Sequence, residues 1–290
     1  MTYTLRSKKI TYTFSDLGGE LISAKNDKGE EFIWRGEESI WNKHAPLLFP
    51  LCGRLKNAKY TYGGKEYELG AHGFLSKTVM NVTEQTESSI TFELTSSDDT
   101  RAVYPFDFSL TAVYSIEGDT ITAKICVKNR SECEMPFMLG GHPGFSTDIG
   151  GLVLEDHYLD FGVDTLDIYP IINKSFVSPT SKKYSLKDGR MPLTRKELVD
   201  LATVVFKDAP MTVTLASDKS EHKIIFSYSE SLPYFCIWTA ESEKAQYVCL
   251  EPWSGVPNDG VSDEVFETRP GMVRLAPGDS ADFEYKITIV

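Results

Sequence analysis

The sequence predicts an all-β protein, a large sandwich of antiparallel sheets formed as a single domain over residues 1–290. Three observations carry this. Apolar residues recur with period two along most of the chain, turn residues separate the runs, and only one segment has a helical signature. A chain of 290 residues with 41% apolar content can bury a substantial core, and all-β folds of this length often remain single domains.

Taken in order, the first clear element is a hairpin. Tyr60-Thr61-Tyr62 and Lys65 to Leu69 flank Gly63-Gly64, a two-residue turn suited to the primed hairpin types. Residues 89–96 place Ile90, Phe92 and Leu94 on one face. A long hairpin follows, with Phe108, Leu110, Ala112, Tyr114 and Ile116 on one strand. Across the Glu117-Gly118-Asp119 turn, Ile121, Ala123, Ile125 and Val127 share a face. Further strands are expected at Met211–Ala216, His222–Tyr228, Tyr234–Thr239, Gln246–Leu250 and Asp282–Val290. The one helix is expected around Glu197–Leu201, introduced by a Thr194/Glu197 capping box.

The formal net charge of -12 disfavours nucleic-acid backbones and anionic membrane surfaces as partners. The N-terminus lacks the apolar run of a signal peptide, and no window is long enough for a transmembrane helix. The cysteines at 52, 126, 133, 236 and 249 are odd in number and form no CxxC pair. A reducing cytoplasm is therefore expected, with neither a disulfide framework nor a zinc ribbon.

Four segments carry polar residues where turn or core residues are expected. In Trp41–Lys56 an apolar run delivers Arg54 just past Gly53. In Gly70–Phe74, His72 sits among small residues after a hairpin. In Met135–Phe145, MPFMLGGHPGF, two glycines allow close approach, and Pro143 biases His142 toward an extended backbone. In Gln246–Gly255, alternation puts Tyr247, Cys249 and Glu251 on one face. A carboxylate held there against Trp253 and away from water should have a raised pKa, as suits a general base. Each residue also has a structural reading: a surface arginine, a turn histidine, a half-buried ring, an edge-strand carboxylate. The chain has no GxSxG elbow, glycine-rich phosphate loop or HExxH motif, and the histidines have no metal-ligand spacing.

These same segments resemble the aldose 1-epimerase (galactose mutarotase) family, and within it the LacX-like branch. FPLCGRLKNAKYTYGGKEYELGAHGF is similar to the family's arginine strand, hairpin and first histidine, and GGHPGF to its acid histidine motif. LPYFCIWTA and YVCLEPWSG resemble its tryptophan and glutamate strands. RLAPGDSADFEYKITIV resembles its closing strand, with Asp279 in place of Glu. The resemblance implies the mutarotase-like supersandwich with a sugar in a concave groove. It implies His142 as general acid and Glu251 as general base. Arg54, His72 and Asp167 are implied as sugar ligands, with Asp164 an alternative to Asp167, and Trp238 as a stacking platform. No cofactor or metal is implied. The expected partner is a small sugar, bound by a monomer or homodimer. Lys43, Arg54, Lys56 and Lys77 do not make an arginine cluster in sequence, so a neutral sugar is expected over a hexose 6-phosphate. A non-catalytic carbohydrate-binding or regulatory protein of the same fold and a zinc hydrolase are the readings from other classes.

Overall fold

The period-two runs become two large antiparallel sheets. The structure is a computed structural model that describes residues 1–172, 175–257, 260, 264–269 and 271–290. One sheet has nine strands in the order Arg190–Pro192, Tyr158–Asp160, Thr212–Ala216, Lys223–Tyr228, Ser280–Ile289, Thr120–Asn129, Phe108–Glu117, Ser89–Thr95, Asn81–Gln85. The long hairpin lies near its centre. Ile121 pairs with Ile116 on one side and Ile287 on the other, and Ile121, Ala123, Ile125 and Val127 all point into the core.

The other sheet runs Lys182–Ser185, Thr165–Ile168, Val204–Lys207, Tyr234–Trp238, Tyr247–Trp253, Gly140–Gly141, Leu47–Leu48. Gly144–Ser146 also pairs with Tyr247–Trp253. Between the sheets, Phe137 meets Phe283 edge-on at 6.0 Å. Tyr285 stacks on Phe226, which in turn reaches Phe235. Such aromatic pairs add to the area they bury, which is the main term holding the two layers together.

Local chemistry explains the turns. Gly63 and Gly64 both have positive φ (56° and 72°), as a primed two-residue turn requires, and join Lys59–Tyr62 to Lys65–Glu68. The expected helix forms over Arg195–Leu201 and buries Leu198, but its capping box does not close. Glu197 instead accepts a hydrogen bond from the Tyr184 hydroxyl at 2.6 Å. A second short helix, Asp98–Val103, was not expected. Its box is closed by Ser97 and Thr100, and threonine in place of Glu or Gln hides that signal.

The loop that carries His72 is held by a close backbone contact. His72 and Gly73 both have positive φ (62° and 72°). Gly73 lies so close to the Phe49 carbonyl that an added Cβ would sit 2.2 Å from its oxygen. This contact locks the His72 loop onto the segment after Leu47–Leu48. Gly73→Ala must move backbone, and is expected to cost about 2 kcal/mol or more. Thermal denaturation should show a midpoint lowered by roughly 5 °C; an unchanged midpoint would mean that the loop yields freely.

Candidate active site

Strand register brings the chemistry together. Gly140 pairs with Trp253, and Gly144 with Cys249, on the two sides of one antiparallel ladder. Position 142 therefore falls opposite 251. On the far side of the same strand, Cys236 pairs with Glu251 and Trp238 with Cys249. His142, Glu251 and Cys236 form one row across the sheet face, with Trp238 and Cys249 in the next. The two glycines before His142 are explained by what lies against them. A Cβ on Gly140 would be 2.5 Å from Trp253, and one on Gly141 would be 2.8 Å from Tyr285 of the facing sheet. Beyond them the His142 amide donates to the Pro46 carbonyl at 3.0 Å, and the Leu250 amide to Pro143. The backbone on both sides of the imidazole is thereby held.

His142 Nε2 lies 3.1 Å from Glu251 Oε2, with side-chain exposures of 9% and 1%. The contact is at hydrogen-bond distance but off-line, and neither Glu251 oxygen takes part in a well-aligned hydrogen bond. Burial pushes the Glu251 carboxyl well above the usual carboxylate range. It sits among the buried thiols of Cys52, Cys236 and Cys249, whose own pKa values burial and the nearby carboxylate push up. Thiols are weak donors, so nothing there solvates a full negative charge. His142 moves the opposite way. Burial, reinforced by His72, holds it well below the ordinary imidazole value. A carboxyl shifted up and an imidazole shifted down leave a broad pH interval in which the pair keeps one proton between them.

The pair forms the floor of a cavity of about 410 Å³, a size within the usual range for small-ligand sites. His72 stands beside it, its ring 5.3 Å from that of His142 and edge-on. The Gly53 amide donates to His72 Nδ1 at 3.2 Å, which puts the proton on Nε2. Burial, with Arg54 and Lys77 nearby, holds His72 down to about 4, so it is a neutral donor at neutral pH. Arg54 lines the same wall, and Trp238 and Trp253 line others.

Trp41 also lines the cavity and was not singled out by the sequence. Its ring lies 5.0 Å from His142, stacks on Tyr247 and meets Trp238 edge-on. The indole N–H of Trp34 holds the Trp41 carbonyl at 2.8 Å, and Gly144 leaves room for the Trp41 ring. His44 frames this loop without lining the cavity. Its Nδ1 contacts the Trp34 carbonyl at 2.8 Å, and its amide donates to the buried Glu20 carboxylate at 2.7 Å. Nothing in the sequence marks Trp41 beyond its place at the head of the Arg54 segment; only the fold carries it across to Tyr247 on the glutamate strand.

Asp167 is not brought together with the other expected sugar ligands. The structure places it on Thr165–Ile168, next to the edge strand Lys182–Ser185, ion-paired with Lys183 at 2.8 Å and accepting from Ser181, and it does not line the cavity. Alternation turns Leu166 and Ile168 inward, which directs Asp167 to the solvent side. Asp164 does not line the cavity either. His142, Cys249 and Glu251 present one nitrogen, one sulfur and one oxygen within 4.8 Å of one another. Such a set has the chemistry of a zinc site as well as that of a proton-transfer pair. Register assembles it, which is why no ligand spacing shows in the sequence.

Fold and site together define a sugar-processing β-sandwich, and the chain belongs to the aldose 1-epimerase family, whose model matches residues 1–288. It is 31% identical to the chromosomal protein LacX of Lactococcus lactis subsp. lactis over the full length of both. A galactose mutarotase related enzyme from Lactobacillus acidophilus superposes with a TM-score of 0.94 at 32% identity, covering 100% of this chain and 97% of that one. A galactose mutarotase-like protein from Lactobacillus casei gives 0.91 at 27% identity, with both chains fully covered.

A buried carboxyl with a raised pKa makes stability depend on pH. Between the unfolded value and the raised folded value, the unfolded chain releases a proton that the folded chain keeps, so stability falls as pH rises. Glutamine cannot ionise. Glu251→Gln should therefore melt no lower than the wild type near neutrality, with a margin that grows as pH rises. A variant that loses ground against the wild type as pH rises would contradict the assignment.

Proposed function

We propose that the protein interconverts the α and β anomers of an aldose with a free anomeric hydroxyl, through acid–base ring opening and reclosure. The observation that carries this is the His142–Glu251 pair at 3.1 Å on the floor of a cavity of monosaccharide size. The family's activity and the likeness to galactose mutarotase relatives support it. So does the His/Glu cluster itself, because binding alone does not call for a desolvated carboxyl in contact with an imidazole.

The chemistry needs one proton removed from the anomeric hydroxyl and one delivered to the ring oxygen. In the one-proton state, the form with the proton on His142 has a carboxylate base at Glu251 and an imidazolium acid. Glu251 takes the proton of the O1 hydroxyl as His142 protonates the ring oxygen. The C1–O5 bond opens to the free aldehyde, the chain rotates about C1–C2, and closure on the other face reverses both transfers. Each group is expected to supply about 10²–10⁴-fold. His72, as an Nε2–H donor, and Arg54 hold sugar oxygens so that both transfers fall within hydrogen-bond reach. Trp238 and Trp41 offer flat faces to the C–H side of the ring. The protein is proposed to work as a monomer or homodimer in a reducing cytoplasm, in keeping with its five free cysteines.

The test is proton NMR of freshly dissolved α-anomers, sugar by sugar, with and without protein. At least one aldose should equilibrate faster than in buffer. Glu251→Gln and His142→Asn should each lower kcat by about 10²-fold or more, and Arg54→Ala should mainly raise KM. Equilibration no faster than buffer for every aldose would overturn the epimerase reading.

The pH profile follows from the same shifts. Activity requires one proton on the pair. The acid limb should lie below the ordinary imidazole range, where His142 gains a second proton, and the alkaline limb above the ordinary carboxylate range, where Glu251 loses the shared one. A broad bell with neutrality inside it is expected from kcat/KM against pH. A narrow bell confined between ordinary carboxylate and imidazole values would contradict the pairing.

A further inference from the structure

The cavity wall around His72 carries an unusual charge for this protein. The chain as a whole is strongly acidic, with a formal net charge of -12. Yet Lys43, Arg54 and Lys77 all line the one cavity, and Glu251 is the sole carboxylate among its described lining residues. None of the three cations is ion-paired among the described residues. Lys43 spends one of its N–H donors on the Ser76 carbonyl at 2.8 Å, which fixes the ammonium in place and leaves two donors free.

Position separates this cluster from the acid–base floor. Arg54 and Lys77 lie near His72, whose ring meets that of His142 edge-on at 5.3 Å. Apart from hydroxyls, the polar side chains on this wall among the described residues are donors only: two ammonium groups, a guanidinium and the His72 Nε2–H. A neutral sugar presents hydroxyls that donate as well as accept, and the carboxylate expected to take those protons, Asp167, is elsewhere. A wall of donors and positive charge suits a group that only accepts.

We propose that the aldose accepted here carries its own negative charge, on a carboxylate, phosphate or sulfonate remote from the anomeric carbon, seated by Lys43, Arg54 and Lys77. The inference rests on the epimerase reading for what happens at C1. It replaces the expectation of a neutral sugar, which came from cations scattered along the chain that the fold gathers onto one wall. Lysines bind such groups as point charges, so an arginine cluster is not required.

Exchange NMR should compare D-glucose and D-galactose with D-glucuronate, D-galacturonate, glucose 6-phosphate and the 6-sulfonate of 6-deoxyglucose, each corrected for its own buffer rate. At least one charged sugar should exceed its neutral parent in kcat/KM by about 10-fold, with the preference shrinking as salt is raised. The carboxylate, phosphate and sulfonate arms show which group is taken. Lys77→Gln should lower the charged-to-neutral ratio about 10-fold, and Lys77→Arg should keep it. Neutral parents used as well as every charged sugar, or a ratio that Lys77→Gln does not move, would overturn the inference. Binding of 1,5-anhydroglucitol, its 6-phosphate and its 6-carboxylate, which have no anomeric hydroxyl, keeps the two readings apart. If no sugar is epimerised but a charged analogue binds about 10-fold tighter than the neutral one, the charge inference stands and the epimerase reading falls. Equal binding of all three would end the charge inference whatever the turnover.

Discussion

The structure depends on keeping one carboxyl out of water. Glu251 is fully buried on the inner part of a strand, and the elements around it serve that burial. Two glycines let the next strand close against Trp253 and Tyr285. Three thiols fill the space where water would otherwise enter, and His142 stands directly across the ladder. Burying a charged carboxylate without donors would be costly, so the group keeps its proton or shares it. Across the ladder, the only basic partner within hydrogen-bond distance among the described residues is an imidazole that burial has made reluctant to ionise. Two unfavourable placements, made together, give a pair that passes a proton readily.

The rest of the cavity works on a different principle. Around His72 the wall is more open and positively charged, with Arg54 and Lys77 exposed and Lys43 half-buried. A dry floor and a charged wall ask different things of a ligand. In the proposed reaction the floor acts on an acetal carbon, where protons are exchanged. The wall, as proposed, orients the molecule from its far side, where binding energy can be used without disturbing the chemistry. His72 joins the two, since its left-handed backbone and the Gly53 amide fix its ring between them.

Much of this was legible before the fold was known. The alternation in Gln246–Gly255 puts Tyr247, Cys249 and Glu251 on one face, and the structure has them so. The raised carboxyl followed from its apolar neighbours. What alternation does not carry is register, and only register sets His142 opposite Glu251. The strand also runs on to Trp253, past the expected end, because Pro252 tolerates its place in the ladder. Trp41 was hidden because it reaches the site from a loop without periodicity, held by Trp34 and His44. Asp167 lies apart from these residues for a legible reason: the alternation of Leu166 and Ile168 turns it outward, while its expected role rests on resemblance alone.

The central claim is that His142 and Glu251 hold one proton between them, chiefly on the carboxyl in the resting protein. The most direct measurement is the infrared difference spectrum between the wild type and Glu251→Gln at neutral pH. A protonated carboxyl band present in the wild type and missing from the variant is expected, fading only as pH rises past the ordinary carboxylate range. A difference spectrum showing an ionised carboxylate at neutral pH and no protonated band would contradict the account.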